Sequence, residues 1–497
     1  MIVDARLRAA INGATILESA DASGFAGWKD GKDEFASYYL FNVTNPDEFI
    51  AGGMPRLNEV GPFVYQVRMN RTDVTWDREA DTMSWYQQNF WVFQPKQSCC
   101  PEDTMVTTLN APWWGIRGEF NQNPFGSTLL QIVLKAGGLD KPEAQASLAL
   151  ETRPAHELLW GFNSPILELF NSTLSSLGEG GIETFFPGYM GPNQTSPAEG
   201  RLDGRYTSFV GARNASMASF MTQWKGMTTQ TVTIPGSTTE SLAWGSPNAS
   251  QVQGHDPDSF GQNLQPCGTV RVFVSSLHRW IDIHNVDCQH VEVKGIDMLH
   301  YRLPESVLQT ANVNPDNGQW FSLGHHGMFN LTRVSSFAPA FVSKPHFLDT
   351  DQQLISAGQA MGLSPASDAH DSYLNAEPRT GLNMDFHARL MTSLLIGSCN
   401  VTSMGSTMPV LPNLYAGYVP VFWIDQHALI PDDDAQTFRD GIYFAHHLVD
   451  TLRWIGPVIA AALIALGVVL LVGRSHRHPL IAPRSAPAYT PLPAPGA

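Results

Sequence analysis

One run of residues constrains this chain more than any other. Trp454 to Gly473 reads "WIGPVIAAALIALGVVLLVG" and carries no charge. A helix of that length rises about 30 Å, the thickness of a bilayer's hydrocarbon core. The stretch is apolar all round, so it reads as a transmembrane helix rather than a buried helix of a soluble domain. Trp454 suits the membrane interface. Arg453 precedes the run, while Arg474, Arg477 and Arg484 follow it, with His476 and His478. The positive-inside rule therefore puts the C-terminus in the cytosol. Residues 474–497 form a short tail rich in proline and alanine, with the composition of a disordered segment.

The sequons give this span a side. Asn42, Asn70, Asn171, Asn193, Asn214, Asn248, Asn330 and Asn400 each head an N-x-S/T triplet with no central proline. Ordinary Ser/Thr usage would give roughly three such triplets among this chain's asparagines. They are spread along the chain, which implies a glycosylated domain in a lumen or outside the cell. A lone span this near the C-terminus would instead leave residues 1–453 in the cytosol. The first 30 residues hold no apolar core fit for a signal peptide or anchor. Either the sequons are accidental or a membrane helix lies upstream of Met1.

Composition narrows the class further. Hydrophobic residues make up 43% of the 497 and aromatics 10%, enough for a sizeable core. The net charge is −16, which argues against nucleic acid as a partner. Five cysteines, Cys99, Cys100, Cys267, Cys288 and Cys399, fit no zinc or redox spacing. They are disulfide candidates whose pairing the sequence leaves open. Cys99 and Cys100 could bridge each other, but separate partners or reduced thiols are the expectation.

Between residues 31 and 452 most periodicity is that of strands. Phe63, Tyr65, Val67 and Met69 alternate with Gln66, Arg68 and Asn70. Val270, Val272 and Val274 alternate with Arg271, Phe273 and Ser275. Val291 and Val293 lead into Lys294-Gly295, and Ile296 and Met298 follow. These read as half-buried antiparallel strands and turns. Residues 125–177 differ. Leu129, Leu130, Ile132, Val133 and Leu134 form an apolar block before Gly137-Gly138. Ser164-Pro165 reads as an N-cap and first helical position, with Ile166, Phe170, Leu174 and Leu177 at helical spacing after it. The expected fold is α+β, mainly β, with one helical insertion.

Catalytic signatures are missing: no G-x-S-x-G elbow, H-E-x-x-H, Walker loop or G-x-G-x-x-G occurs. His325-His326 are adjacent and face opposite sides of an extended chain, so they read as solvated loop histidines rather than a chelate. Asp432-Asp433-Asp434 lacks the glycine and glutamate of a calcium loop and reads as a solvated turn. Neither a metal nor a cofactor is expected, and the chain does not read as an enzyme.

Several segments are more specific in wording. In order come "FNVTNPDEF" (41–49), "NEVGPFVYQV" (58–67), "TTLN" (107–110), "ELLWGF" (157–162), "VKGIDMLHYRLP" (293–304), "SKPHFLD" (343–349), "AEPRTGLNMDF" (376–386) and "YVPVFWID" (418–425). With the membrane helix after them, they resemble the class B scavenger receptor family, which includes fatty-acid translocase, lysosomal integral membrane protein type two and sensory neuron membrane protein branches. The resemblance runs from about residue 15 to 473. It implies two membrane helices with short cytosolic tails, and one large ectodomain between them. Residues 1–30 would then be a membrane-proximal segment following a helix upstream of Met1. The ectodomain would be an irregular antiparallel β-barrel with a helical apex at about 125–177. In the family an apolar tunnel through the barrel carries lipid, and lining such a passage lowers the cost of exposing lipid to water.

The chain also departs from the family. The stretch "NGQWFSLGHHGMFNLTRVSSF" (317–337) has no cysteine where animal relatives are cysteine-rich, and the usual partner of Cys267 is missing. The family's lipid receptors have a basic apex. Here Lys135, Lys141 and Arg153 are matched by Asp140, Glu143, Glu151 and Glu157, which weakens any capture of anionic particles.

The resemblance implies a receptor that binds and transfers lipids, fatty acids, sterols or lipoprotein lipid. Its expected partners are lipids, lipoprotein-like particles and the membrane. The candidate ligand region is the apex, with Lys135, Lys141 and His156, and with Leu158, Leu159, Trp160 and Phe162 at its base. For those last four, ordinary core packing is the favoured reading. The alternative is a sorting receptor of endosomes or lysosomes that docks a protein ligand, with His156 as a pH sensor. Leu480-Ile481 has no acidic residue upstream, which favours the plasma membrane, with the large domain extracellular, over an endosomal or lysosomal membrane with that domain lumenal.

Overall fold

The computed structural model describes residues 2–120, 124–178, 180–190, 201–233, 240–244, 246–317, 325–332, 338–403, 405–443, 451, 455 and 457–468. Contacts divide the chain into a large unit, residues 9–437, and a small one, residues 1–8 with 438–497.

The large unit is built on a fourteen-stranded antiparallel sheet. Eleven strands form its main path: β1 Glu34–Val43, β2 Leu57–Asp77, β3 Thr82–Phe93, β4 Arg201–Phe209, β5 Met221–Trp224, β6 Thr269–Val274, β7 Arg279–His284, β8 Ile296–Arg302, β9 Tyr373–Ala376, β10 Asn383–Ile396 and β11 Gly417–Leu429. The order across the sheet is β6 to β11, then β1 to β5. Apart from β5 and β6, each of these strands therefore neighbours its successor, and the last pairs with the first. Phe35 faces His427 and Leu40 faces Phe422 across that β1–β11 seam. Tight turns join β2 to β3 and β6 to β7, whereas long excursions join β3 to β4 and β8 to β9.

The remaining gap, between β5 and β6, is spanned by one residue. His255 bridges Phe220 on one side and Val272 on the other. Its N–H donates to Arg271 O at 2.7 Å, and its carbonyl accepts from Phe273 N at 3.0 Å. Met221 N donates to Gly254 O at 2.7 Å beside it. The sheet is thus a nearly closed barrel, as the alternating strands and the resemblance imply. A hairpin of Met328–Asn330 and Ala340–Ser343 adds to the second half of β10, and His290–Val293 adds to β8 through the Lys294-Gly295 turn.

Within β2, Gly61 occupies a point where a side chain could not fit: a Cβ would lie 2.7 Å from Tyr38 O. The burial of β2 follows the expected alternation, with Phe63, Tyr65 and Val67 buried. The row then continues to a charged residue, since Arg71 is also buried, at 1% exposure.

Helices occupy Ala111–Phe120, Pro124–Ala136, Pro142–Ala149, Ala155–Trp160 and Pro165–Ser176. The helical region thus starts earlier than 125. Pro112, Gly115 and Gly118 mask the first helix in the sequence, but Trp113, Trp114 and Ile116 are buried and hold it by packing. Ser164 does precede the last helix, with Pro165 at its first turn, but its hydroxyl makes no capping bond. Ile166, Phe170 and Leu174 form that helix's buried stripe, while Leu177 is exposed.

In the small unit, residues 457–468 are helical, and Val458, Ile459, Leu463, Ile464, Leu466 and Val468 are exposed. Among the described residues no helix is long and apolar enough to cross a membrane. The ends of the expected span, Trp454 and 469–473, lie outside the described residues.

Candidate functional site

The barrel's inner face carries a cavity of about 390 Å³. Register shows why particular side chains meet there. Glu34 of β1 pairs with Val67 of β2, which pairs with Trp91 of β3; Met69 pairs with Asn89, and Arg71 with Gln87. All seven line the cavity. The rest of the lining includes Val272, Phe273, Ile281, Tyr301, Leu390 and Ile424. Glu34 and Tyr38 both line it, and four residues of strand put about 13 Å between them.

One end of this largely apolar space holds a compact charge cluster. Arg71 donates from Nη2 to Asp258 at 2.9 Å and reaches Asp256 at 3.5 Å. Its Nη1 donates to Trp28 O, and its guanidinium lies 4.8 Å from the Trp28 ring centre. Lys32 Nζ sits 3.3 Å from Asp258 and donates to Asn383 O at 2.9 Å. Glu34, 5% exposed, accepts from Gln426 Nε2 at 2.9 Å. Burial pushes its carboxyl up to about 7, and the negative charge of Asp258 adds to that. Asp256 is likewise raised, by burial and by Asp258. Burial opposes ionisation of Asp258 too, but Lys32 and Arg71 outweigh it and hold this carboxyl below its ordinary value. A second acid, Asp203, accepts from Ser275 at 3.0 Å and from the Tyr206 hydroxyl.

Behind the wall lies an aromatic layer. Trp160 packs against Tyr65 at 5.0 Å, Trp91 at 5.6 Å and Tyr38 at 5.9 Å. Of these, Tyr38 and Trp91 line the cavity and Trp160 does not. Leu158, Leu159, Trp160 and Phe162 are all buried in the main core, so their position is that of packing residues. Lys135 and Lys141 are exposed, and Lys135 Nζ lies 3.5 Å from Gln131 Oε1. His156 is exposed and its Nδ1 lies 3.1 Å from Glu102 O. Arg153 is engaged by Glu151 and Glu157, each at 2.9 Å, and covers the Phe162 ring at 3.7 Å. The structure therefore does not bring Lys135, Lys141 and His156 to the cavity that the barrel encloses.

Of the sequon asparagines, Asn70, Asn214, Asn248 and Asn400 are exposed. Asn42, Asn171 and Asn330 are half-buried, and Asn42 Oδ1 accepts from Thr107 N at 2.8 Å. Asn248 Nδ2 donates to Asp316 at 2.8 Å. Asn193 lies outside the described residues. The cysteines correct one expectation: Cys99 and Cys100 are bonded to each other. Cys267 is bonded to Cys288, 21 positions on, and Cys399 is free. Local geometry supports the Cys267–Cys288 bridge, since Asn285 Oδ1 accepts from Cys267 N at 2.8 Å and holds the two loop segments together.

His325 is not simply solvated, for its Nδ1 is 2.5 Å from Asp351. Nor is Asp432, which meets Lys294 at 2.6 Å at the start of the Asp432–Phe438 helix. Among the described residues one histidine–carboxylate group could hold a metal: His387, Asp425 and His427, on adjacent strands. Arg389 already supplies a cation there, with Nε 3.1 Å from Asp425 and Nη2 2.9 Å from His387 Nδ1. That arrangement reads as a structural ion-pair network.

The residues missed from the sequence are Glu34, Arg71, Asp256 and Asp258. Arg71 could have been found: it continues the alternate row Phe63, Tyr65, Val67, Met69 onto the apolar face. Asp256 and Asp258 sit in a loop with no periodicity, and nothing local marks them.

Comparison with known proteins agrees with this architecture. The profile of the CD36 family matches residues 8–471. Lysosome membrane protein 2 of Rattus norvegicus is 26% identical over 415 residues, covering 82% of this chain and 77% of that protein. Scavenger receptor class B member 1 of Rattus norvegicus is 24% identical over 415 residues, covering 83% and 74%. The same receptor of Sus scrofa is 23% identical over 448 residues, covering 90% and 79%. These names are those of membrane proteins and receptors, not enzymes. With nearly its whole length matched and a nearly closed antiparallel barrel behind that match, the chain belongs to the CD36 family of scavenger-receptor-like membrane proteins.

Proposed function

We propose that this protein binds lipid in the barrel cavity and passes it between an outer source and the membrane. The observation that carries the reading is the cavity itself, about 390 Å³ and walled by side chains such as Val67, Val272, Phe273, Ile281, Leu390 and Ile424. Its size lies in the range of small-molecule sites, and its apolar wall lowers the cost of holding an acyl chain away from water. In this reading residues 454–473 are the membrane helix, and the exposed apolar side chains of 457–468 are its lipid-facing surface. The exposed sequon asparagines, Asn70 first among them, carry the sugars. The relatives' names point to a scavenger receptor and to a lysosome membrane protein. We carry both placements: the plasma membrane with the large domain extracellular, and the lysosomal membrane with that domain lumenal.

Native mass spectrometry of the purified chain tests the reading. Retained lipid of stoichiometry near one per chain is expected. A folded protein that retains none, and takes up none when offered, would contradict it.

A further inference from the structure

The charged end of the cavity has a definite chemical bias. Three arginines line the space, and each has a carboxylate within ion-pair range. Arg71 is paired with Asp256 and Asp258. Arg389 donates to Asp425 at 3.1 Å and to Asp371 O at 2.7 Å. Arg302 donates to His300 Nε2 at 3.1 Å and lies 4.0 Å from Asp371. Lys32, next to the cluster, is spent on Asp258 and Asn383 O. Arg71 Nε has no hydrogen-bond partner and Arg302 is half exposed, but four acids, Glu34, Asp203, Asp256 and Asp258, line the same space, and Asp203 is held by the Ser275 and Tyr206 hydroxyls rather than by a cation.

An acceptor is left over as well. Asn383 lines the cavity at 4% exposure, and its Nδ2 donates to Pro257 O at 3.1 Å. That bond fixes which way the amide points. Its Oδ1 is then buried with no hydrogen-bond partner. The Tyr301 hydroxyl on the same lining, at 1% exposure, is also without one. A buried acceptor left unmade costs free energy, and the group that repays it must donate a proton. An ionised carboxylate cannot do so, and it would meet acids whose own cations are taken.

Resting on the lipid-binding reading above, we propose that the cavity takes lipids with an uncharged, hydroxyl-bearing head, of the long-chain alcohol or monoacylglycerol class. The head donates to Asn383 Oδ1, and free fatty acids are discriminated against. The chain lies along Met69, Phe386, Leu390 and Ile424, and the hydroxyl meets the charged end where Glu34, Asp258, Lys32 and Gln426 surround it.

The test compares oleyl alcohol with oleate, which share one chain and differ in the head. Equilibrium binding is measured on the full chain held in amphipol at pH 8. The alcohol is expected to bind at least about ten-fold tighter, the size of one charge-mismatched polar contact. Asn383→Leu should weaken the alcohol about three- to ten-fold and leave oleate within two-fold. Should that variant fold poorly, Glu34→Gln keeps the shape beside Gln426 and removes the charge present at pH 8. It should raise oleate affinity by roughly three-fold or more relative to the alcohol. Oleate binding as tightly as the alcohol, or ratios unmoved by either folded variant, would overturn the head-group assignment and leave lipid binding standing. A folded chain that binds neither would overturn both.

Discussion

Arg71 Nη2 and Asp258 Oδ2 lie 2.9 Å apart across 187 positions of sequence, joining β2 to the loop before β6. Arg71 is 1% exposed and also serves Asp256. Arg71→Met keeps most of the apolar stem but strands two buried carboxylates. Breaking one side of such a cluster costs about 3–5 kcal/mol. Thermal unfolding of the variant should show a loss of that order. A loss under about 1 kcal/mol would mean that the cluster is solvated.

Glu34 makes stability depend on pH. Its carboxyl moves from 4.5 to about 7 in the folded protein, through burial first and Asp258 second. The folded value is above the unfolded one, so the fold favours the protonated acid. That contribution is whole below pH 4.5 and is lost as pH rises through about 7. By linkage it amounts to about 3 kcal/mol. Glu34→Gln should therefore gain on the parent protein in melting temperature between pH 5 and pH 8. A difference that stays constant with pH would refute this.

Lys344, 4% exposed, places Nζ 2.6 Å from both Asp349 and Asp371. It anchors a turn in which His346, Phe347 and Asp349 all have left-handed backbone, at φ 57°, 61° and 59°. Non-glycine residues accept that region only where surroundings impose it. Lys344→Met should cost about 3–5 kcal/mol, by loss of the buried charge partner. Denaturant melts give the number, and a near-neutral effect would show that the turn is held by other contacts.

Trp160 separates packing from ligand contact. Trp160→Ala should destabilise by about 3–5 kcal/mol, and Trp160→Phe by under about 1.5. The phenylalanine variant should bind lipid like the parent, because the indole lies behind Tyr38 and Trp91. A large affinity loss in a folded Trp160→Phe protein would place the indole at the ligand.

Thiol counting checks the cysteines. Alkylation of the unfolded, unreduced chain should label one cysteine, Cys399, and reduction should raise the count to five. Three labelled without reduction would mean that Cys99 and Cys100 are not joined.

Much of the barrel was legible in the sequence, because alternation along β2, β6 and β8 is a local property with a period of two. The closure was not. Val272 alternates visibly, but nothing near His255 says that it will bridge Val272 to Phe220. The helical region was legible where apolar spacing is regular, at Pro165–Ser176. It was missed at Ala111–Phe120, where tertiary burial of Trp113 and Trp114 overrides poor local propensity. The charged end of the cavity was not legible for a related reason. Surface lysines and an exposed histidine are conspicuous in a string of letters, whereas Glu34, Asp258 and Asn383 become a site only once distant strands close. The exception is Arg71, whose charge on an apolar face marks an interior polar site from sequence alone.

The most direct test of the account fills the cavity. Ala388 lines it from β10, opposite Gln426 on β11. Ala388→Trp puts an indole into the space that the acyl chain would occupy. Native mass spectrometry should find about one lipid on the parent chain and close to none on a variant with an unchanged circular dichroism spectrum. Equal lipid on both proteins would contradict the claim that the barrel cavity is where this protein holds lipid.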